Sequence, residues 1–351
     1  MEYSKRLGAI TDAQFQAALA HFGLGEFVRA APIPFGLFGQ NVFLTSTAGE
    51  FVLRGCPHFP WQFLNERYFA HALHERTAAP APWPYLVDDS TAIFGWSYAM
   101  MPRMPGINAA DPAIRARLSK DDRAAMARAM AQNLAEMQRL TAPIAGRIDL
   151  ATETVKPFVL AEELAWPFPF RGDATDSPIL SHAERVEVVI RSLLKRARNT
   201  NDQTTVADVE WVESVLRFAY DALRVEFTPC FVMEDYKEGN VVFDDSSGRW
   251  RVSGVFDLME SYFGDGESDL SRTVATYLYE DPYLAREFVR EYRTLRPPRD
   301  GFAERFSAYM MLERLIIWEY VQRNEPDVAA KMGSLRHWAE KYVGAWPALR
   351  E

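Results

Sequence analysis

The chain has 351 residues, 48% of them hydrophobic and 25% charged, a balance that permits a substantial core and excludes a disordered chain. Its net charge of -9 argues against a nucleic-acid partner, since phosphate binding needs a basic face, and it permits a cationic ligand without requiring one. Two widely separated cysteines, Cys56 and Cys230, exclude a disulfide framework or a cysteine-rich zinc site and fit a reducing compartment.

From the N-terminus, Met1–Phe15 carries charges and no apolar core, so it does not read as a signal peptide. Asn41–Thr47 and Glu50–Arg54 flank Thr47-Ala48-Gly49, the pattern of a β-hairpin. A second strand pair is expected at Thr91–Phe94 and Ser97–Met101, around Gly95-Trp96. Between the pairs Gln62–Glu75 reads as a helix that Pro80, Pro82 and Pro84 end, because proline lacks an amide donor and clashes with the preceding turn. After Gly106 the pattern turns helical. Met126, Met130, Leu134 and Met137 form one apolar stripe, and Ser181-His182-Ala183-Glu184 is a capping box. Further helices are expected from Asp208 to Arg224 and around Phe302, Phe306, Met310 and Ile317. A β-rich island at Cys230–Phe256, with the turn Asp244–Gly248, interrupts them. The apolar stretch Tyr309–Tyr320 is broken by Glu313, Arg314 and Glu319, so no membrane span is expected. The expected location is the cytoplasm.

The chemistry concentrates in the island. Asp235, then Asn240, then a hairpin ending in Asp257 supply the parts that phosphoryl transfer requires. One carboxylate, Asp235, takes the proton of the attacking hydroxyl. An amide oxygen at Asn240 and a second carboxylate at Asp257 hold the magnesium that bridges the nucleotide phosphates. Competing chemistries find no footing: there is no H-E-x-x-H, no G-x-S-x-G and no G-x-x-x-x-G-K-[ST].

Asp235-x-Lys237-x-x-Asn240 resembles the catalytic loop of protein kinases. The wider context, with Gly264-Asp265-Gly266-Glu267-Ser268-Asp269-Leu270 after the hairpin, is similar to the aminoglycoside phosphotransferase and choline-kinase-like family. The resemblance spans roughly residues 30 to 280. It implies an α+β, protein-kinase-like, two-lobed fold. Residues 1–103 would form an N-lobe of antiparallel sheet plus helix, and 104–351 a mainly helical C-lobe carrying the catalytic hairpin. It also implies ATP, with GTP as the alternative nucleotide, and Mg²⁺ as cofactors.

By the same resemblance Gly36, Gly39, Gln40 and Asn41 belong to a nucleotide-binding loop, where glycines let backbone amides approach phosphate oxygens. Arg54 would contact the phosphates with Glu66 as its ion-pair partner, and Met101 and Arg103 would lie in the hinge that grips the base. Lys237 would touch the γ-phosphate as a catalytic residue. The partner is a small-molecule hydroxyl acceptor: an aminoglycoside or other antibiotic, a sugar or an amino alcohol. Glu162, Glu163, Glu260 and the aromatic run Trp166–Phe170 are the candidate acceptor-binding groups. An antibiotic-resistance role is one option among these, and monomer and homodimer are both compatible.

Two departures stand out. Met233-Glu234 replaces the family's His-Gly, and Gln138 stands where many relatives have His. Met233-Glu234, together with Arg54 where many members have Lys, motivates the alternative of a catalytically silent, kinase-like nucleotide-binding protein. A glutamate beside the base also adds negative charge that bears on a cationic acceptor or on the proton affinity of Asp235.

Overall fold

The computed structural model describes residues 2–4, 8–33, 40–55, 57, 59, 61–167 and 174–350. Gly36, Gly39, Cys56, Phe168 and Phe170 lie outside them, as do the side chains of residues 2–4 and of Gln40. Two compact units form: Met1–Ala116 with Leu150–Glu153 and Gly239–Ser261, and Arg117–Asp149 with Thr154–Glu238 and Tyr262–Glu351.

In the first unit a five-stranded antiparallel sheet runs in the order Phe27–Pro32, Gln40–Ser46, Gly49–Gly55, Tyr98–Pro102, Leu86–Asp88. The expected first hairpin closes with Ser46 opposite Gly49. Side chains alternate between faces along a strand. Val42, Leu44, Leu53, Tyr98 and Met100 therefore share one buried face, against Ile10, Phe15 and Leu19. Each such burial contributes about 1.5–3 kcal/mol. The second hairpin differs from expectation: Tyr98–Pro102 pairs with Leu86–Asp88, while residues 92–94 form a turn. Asp88 explains the stop, since its Oδ1 accepts the Ser90 amide at 2.9 Å and bends the chain out of the strand.

The helix Trp61–Arg76 buries Phe63, Phe69, Ala70 and Leu73. The late hairpin, Val241–Asp244 with Arg251–Val255, also belongs to this unit. Ile107 and Phe243 exchange backbone hydrogen bonds at 2.8 Å. Gly106 makes that approach feasible: its φ is +128°, and a Cβ there would lie 2.5 Å from the Phe243 carbonyl oxygen.

The second unit is mainly helical, with Lys120–Met137, His182–Thr200, Val206–Leu223, Leu270–Glu280, Pro282–Leu295 and Phe302–Asn324 its longer helices. Three of these start with capping boxes, Ser119 with Asp122, Ser181 with Glu184, and Thr205 with Asp208, each satisfying two amides that the helix itself leaves unpaired. The methionine stripe Met126, Met130, Leu134 and Met137 is fully buried. The strand Cys230–Val232 pairs with Tyr262–Gly264, across the hairpin inserted between them in sequence. Among the described residues no helix is long and apolar enough to cross a membrane.

Candidate active site

In the sheet unit, strand alternation turns Arg54 away from the face that buries Leu53, and Asn41 lies directly across from it in register. Gly55 follows, where a Cβ would fall 2.4 Å from the Trp96 ring. The Arg54 guanidinium meets both oxygens of Glu66 at 2.6 Å and donates to Oδ1 of Asp257 at 2.8 Å. Glu66 is 1% exposed and takes further hydrogen bonds from the Tyr85 hydroxyl at 2.8 Å and the Asp257 and Leu258 amides at 2.9 and 3.2 Å. Burial pushes the Glu66 carboxyl up in pKa, while Arg54 pulls it back. A buried acid with so many donors is a rigid anchor.

Asp257 adopts φ +73°, which costs a residue with a Cβ roughly 1–2 kcal/mol. The two amides captured by Glu66 hold that turn in place. Asn240 ends the short 3₁₀ segment Glu238–Asn240 and is buried, and its carbonyl accepts the Phe256 amide at 3.1 Å. Val241 pairs with Val255, so the hairpin returns the chain to Asn240 one residue before Asp257. An amide oxygen and a carboxylate are hard donors that suit magnesium. Among the described residues no group of three His, Cys, Asp or Glu side chains could hold a metal.

Met101 is buried in the sheet opposite Val52. Arg103 donates its amide to the Glu50 carbonyl at 3.0 Å, lies 3.2 Å from the Glu50 carboxylate, and covers the Phe43 ring at 4.0 Å. Gln40 and Asn41 lie in the strand Gln40–Ser46.

In the helical unit the loop before Asp235 is fixed through its backbone. Asp269 accepts the amides of Met233 and Glu234 at 2.6 and 2.7 Å. Burial pushes its pKa up to about 7 against the pull of those two donors. The Tyr236 side chain points into the core, where its hydroxyl donates to the Met130 carbonyl at 2.9 Å and accepts from Asn133 at 3.0 Å. Thr273 donates to the Tyr236 carbonyl at 2.7 Å.

Flanked in this way, Asp235 directs its carboxylate at two cations. Arg272 Nε donates to Oδ1 and Lys237 Nζ to Oδ2, each at 2.6 Å. Burial works to raise the Asp235 pKa, but Arg272 and Lys237 hold it below the usual carboxylate range, so it is ionised at neutral pH. Arg272 also donates to Glu313 at 2.7 Å.

Glu234, the residue in place of glycine, has φ +71°. Its carboxylate meets Arg185 at 3.2 Å, which also reaches Glu163 at 3.0 Å and the Tyr262 hydroxyl at 3.0 Å. Arg147 closes the chain on Glu163 at 2.9 Å. Glu163, a candidate acceptor ligand by sequence, is fully buried between two arginines and is held at a pKa of about 2 although burial alone would raise it. Gln138 is likewise internal, donating to the Gly266 carbonyl at 2.8 Å and accepting from Tyr292 at 2.7 Å.

Within the sheet unit Arg54, Glu66 and Asp257 therefore come together, and within the helical unit Asp235 and Lys237 do. Tyr85, Arg185 and Arg272 were not singled out by sequence, and Glu313 only as a charge that breaks an apolar stretch. Arg272 follows Asp269-Leu270 by two residues, a spacing that places it on the same helix face as Asp269 and was the one available signal.

The model of the phosphotransferase enzyme family, APH, matches residues 29–302. No curated protein matches the chain in sequence. Among solved structures, a thermostable mutant of aminoglycoside phosphotransferase APH(4)-Ia in its apo form has TM-score 0.61 at 14% identity, over 96% of this chain and 99% of that one. A ternary complex of such a mutant with AMP-PNP and hygromycin B has TM-score 0.62 at 15% identity, over 95% and 97%. The GDP complex of an aminoglycoside 2′-phosphotransferase-IIIa mutant has TM-score 0.62 at 13% identity, over 97% and 100%. The fold is thus α+β and protein-kinase-like, with a five-stranded antiparallel N-lobe sheet and a helical C-lobe.

Proposed function

The chain belongs to the phosphotransferase enzyme family, and from that premise we propose that it transfers the γ-phosphoryl group of ATP to a hydroxyl of a small molecule, with Asp235 as the base. The observation that carries this reading is the Asp235 carboxylate, kept ionised by Arg272 and Lys237 and aimed by a loop whose amides are held by Asp269.

In the proposed reaction the acceptor oxygen attacks the γ-phosphorus as the bond to the departing ADP breaks, and the hydroxyl proton passes to Asp235. Lys237 exchanges its contact with Asp235 for one with the γ-phosphate. Arg54, anchored by Glu66, steadies the phosphates. Asn240 and Asp257 would hold magnesium, which would supply charge neutralisation at the phosphates. Residues 1–103 bind the nucleotide, with Gly36, Gly39, Gln40 and Asn41 at the phosphates and Met101 and Arg103 beside the base, and residues 104–351 carry the catalytic loop and the acceptor. Positioning and charge neutralisation supply most of the rate. ATP is supported by the AMP-PNP complex of one neighbour, and GTP is the alternative given the GDP complex of another. The hygromycin B complex supports an aminoglycoside-type acceptor as the first compound to test, with sugars and amino alcohols next. The proposed location is the cytoplasm.

A silent, nucleotide-binding relative is the second reading, motivated by Met233-Glu234 in place of His-Gly and by an arginine at position 54. The Glu234–Arg185 contact counts against it, because the extra charge is compensated next to the loop. ADP release from MgATP, screened against aminoglycosides, macrolides, sugars and choline-like amines, tests the proposal. Asp235→Asn is expected to lower turnover at least about 100-fold while leaving ATP binding largely intact. Equal turnover in that variant removes Asp235 from the role of base.

A further inference from the structure

Resting on the reading of Asp235 as the proton acceptor, we propose that Arg272 is a positioning residue for phosphoryl transfer, fixing Oδ1 of Asp235 so that Oδ2 is the oxygen presented to the acceptor hydroxyl.

The two oxygens of Asp235 are held by cations of different kinds. Arg272 belongs to the helix Leu270–Glu280, and its guanidinium is engaged at both ends, Nε on Asp235 Oδ1 at 2.6 Å and Nη1 on Glu313 Oε1 at 2.7 Å. Glu313 comes from the buried face of Phe302–Asn324 and is bound in addition by Arg314. A planar guanidinium tied at two points cannot turn without losing a charge-assisted hydrogen bond. Oδ1 therefore has a fixed partner.

Lys237 is the opposite case. It lies two residues along the same loop, and its side chain is 32% exposed. A single ammonium on a flexible stem can move to a phosphate at small cost. That move frees the Lys237 contact at Oδ2 when MgATP is bound. The hydroxyl O–H bond then breaks toward Oδ2 while the new O–P bond forms and the P–O bond to ADP breaks.

The start of this helix thus orients both parts of the loop. Asp269 takes the amides of Met233 and Glu234, and Arg272, three residues on, takes the side chain of Asp235. Three residues apart on a helix, the two share a face.

The test uses MgATP hydrolysis, with water as acceptor, read as ADP release. Arg272→Gln is expected to lower kcat about 10- to 100-fold with KM for ATP within about twofold, and Arg272→Lys to restore part of the loss. Since Arg272→Gln deprives Glu313 of a partner, Arg272→Gln/Glu313→Gln is measured beside it: circular dichroism and Tm are expected to recover and kcat to stay low. Wild-type kcat in the folded double variant, or a loss confined to KM, overturns the inference. Asp235→Asn separates the two levels. An active Asp235→Asn protein defeats the base assignment itself, whereas an inactive one beside normal Arg272 variants defeats only the role of Arg272.

Discussion

Two residues with side chains, Glu234 beside Asp235 in the helical unit and Asp257 in the sheet unit, hold left-handed backbone. At Glu234 the conformation costs roughly 1–2 kcal/mol, and the ion pair with Arg185 offsets it. Glu234→Gly relieves that strain but leaves Arg185 and Arg147 sharing Glu163. Removing one member of a buried ionic group costs about 3–5 kcal/mol, so a net destabilisation of about 1–4 kcal/mol is expected in urea unfolding; a more stable variant would show that the pair contributes nothing. Glu163 gives a pH signature. Its pKa is depressed to about 2 in the folded protein from an ordinary 4.5, so its contribution of about 3 kcal/mol is complete above the unfolded value and is lost as pH falls through the folded one. Glu163→Gln should therefore be less stable at pH 7 and show a shallower loss of stability between about pH 4.5 and 2.

At the scale of elements, the segment Gly264–Leu270 matters because Asp269 accepts two amides of the loop that leads to Asp235, the proposed base. Asp269→Ala leaves both donors buried without that partner, at about 1–3 kcal/mol each, and is expected to reduce turnover far more than ATP affinity. Unchanged turnover with a normal Tm would show that the loop needs no such support. The hairpin makes a comparable demand at Gly106, where an added methyl group meets the Phe243 carbonyl in a backbone region that disfavours it. Gly106→Ala should lower Tm by several degrees, read by calorimetry.

For the molecule as a whole, the proposed activity requires nucleotide binding coupled to folding. Saturation at 100 times Kd raises stability by about 2.7 kcal/mol, so MgATP should raise Tm clearly, and omission of Mg²⁺ should reduce the effect. A protein indifferent to both nucleotide and metal would contradict the proposal. Solved neighbours cover nearly the full chain at about 14% identity, which indicates that the apolar pattern, and few individual residues, carries the fold.

That pattern is why so much of the fold is legible in the sequence. The runs Asn41–Thr47 and Glu50–Arg54 around Thr47-Ala48-Gly49 marked the first hairpin, the stripe from Met126 to Met137 marked a helix that spans Lys120–Met137, and Ser181 with Glu184 marked a helix start, because periodicity and capping are local. The order Asp235, Asn240, Asp257, on which the proposed chemistry rests, is visible in the sequence because the three lie within one stretch of chain. The partner of Tyr98–Pro102 was misread because strand choice depends on what lies alongside in space. Long-range packing also decided that Glu163 is an internal counter-ion, that Gln138 holds Gly266, and that Asp235 faces Arg272. A buried charge finds its partner wherever the fold leaves one, and no sequence interval encodes that distance.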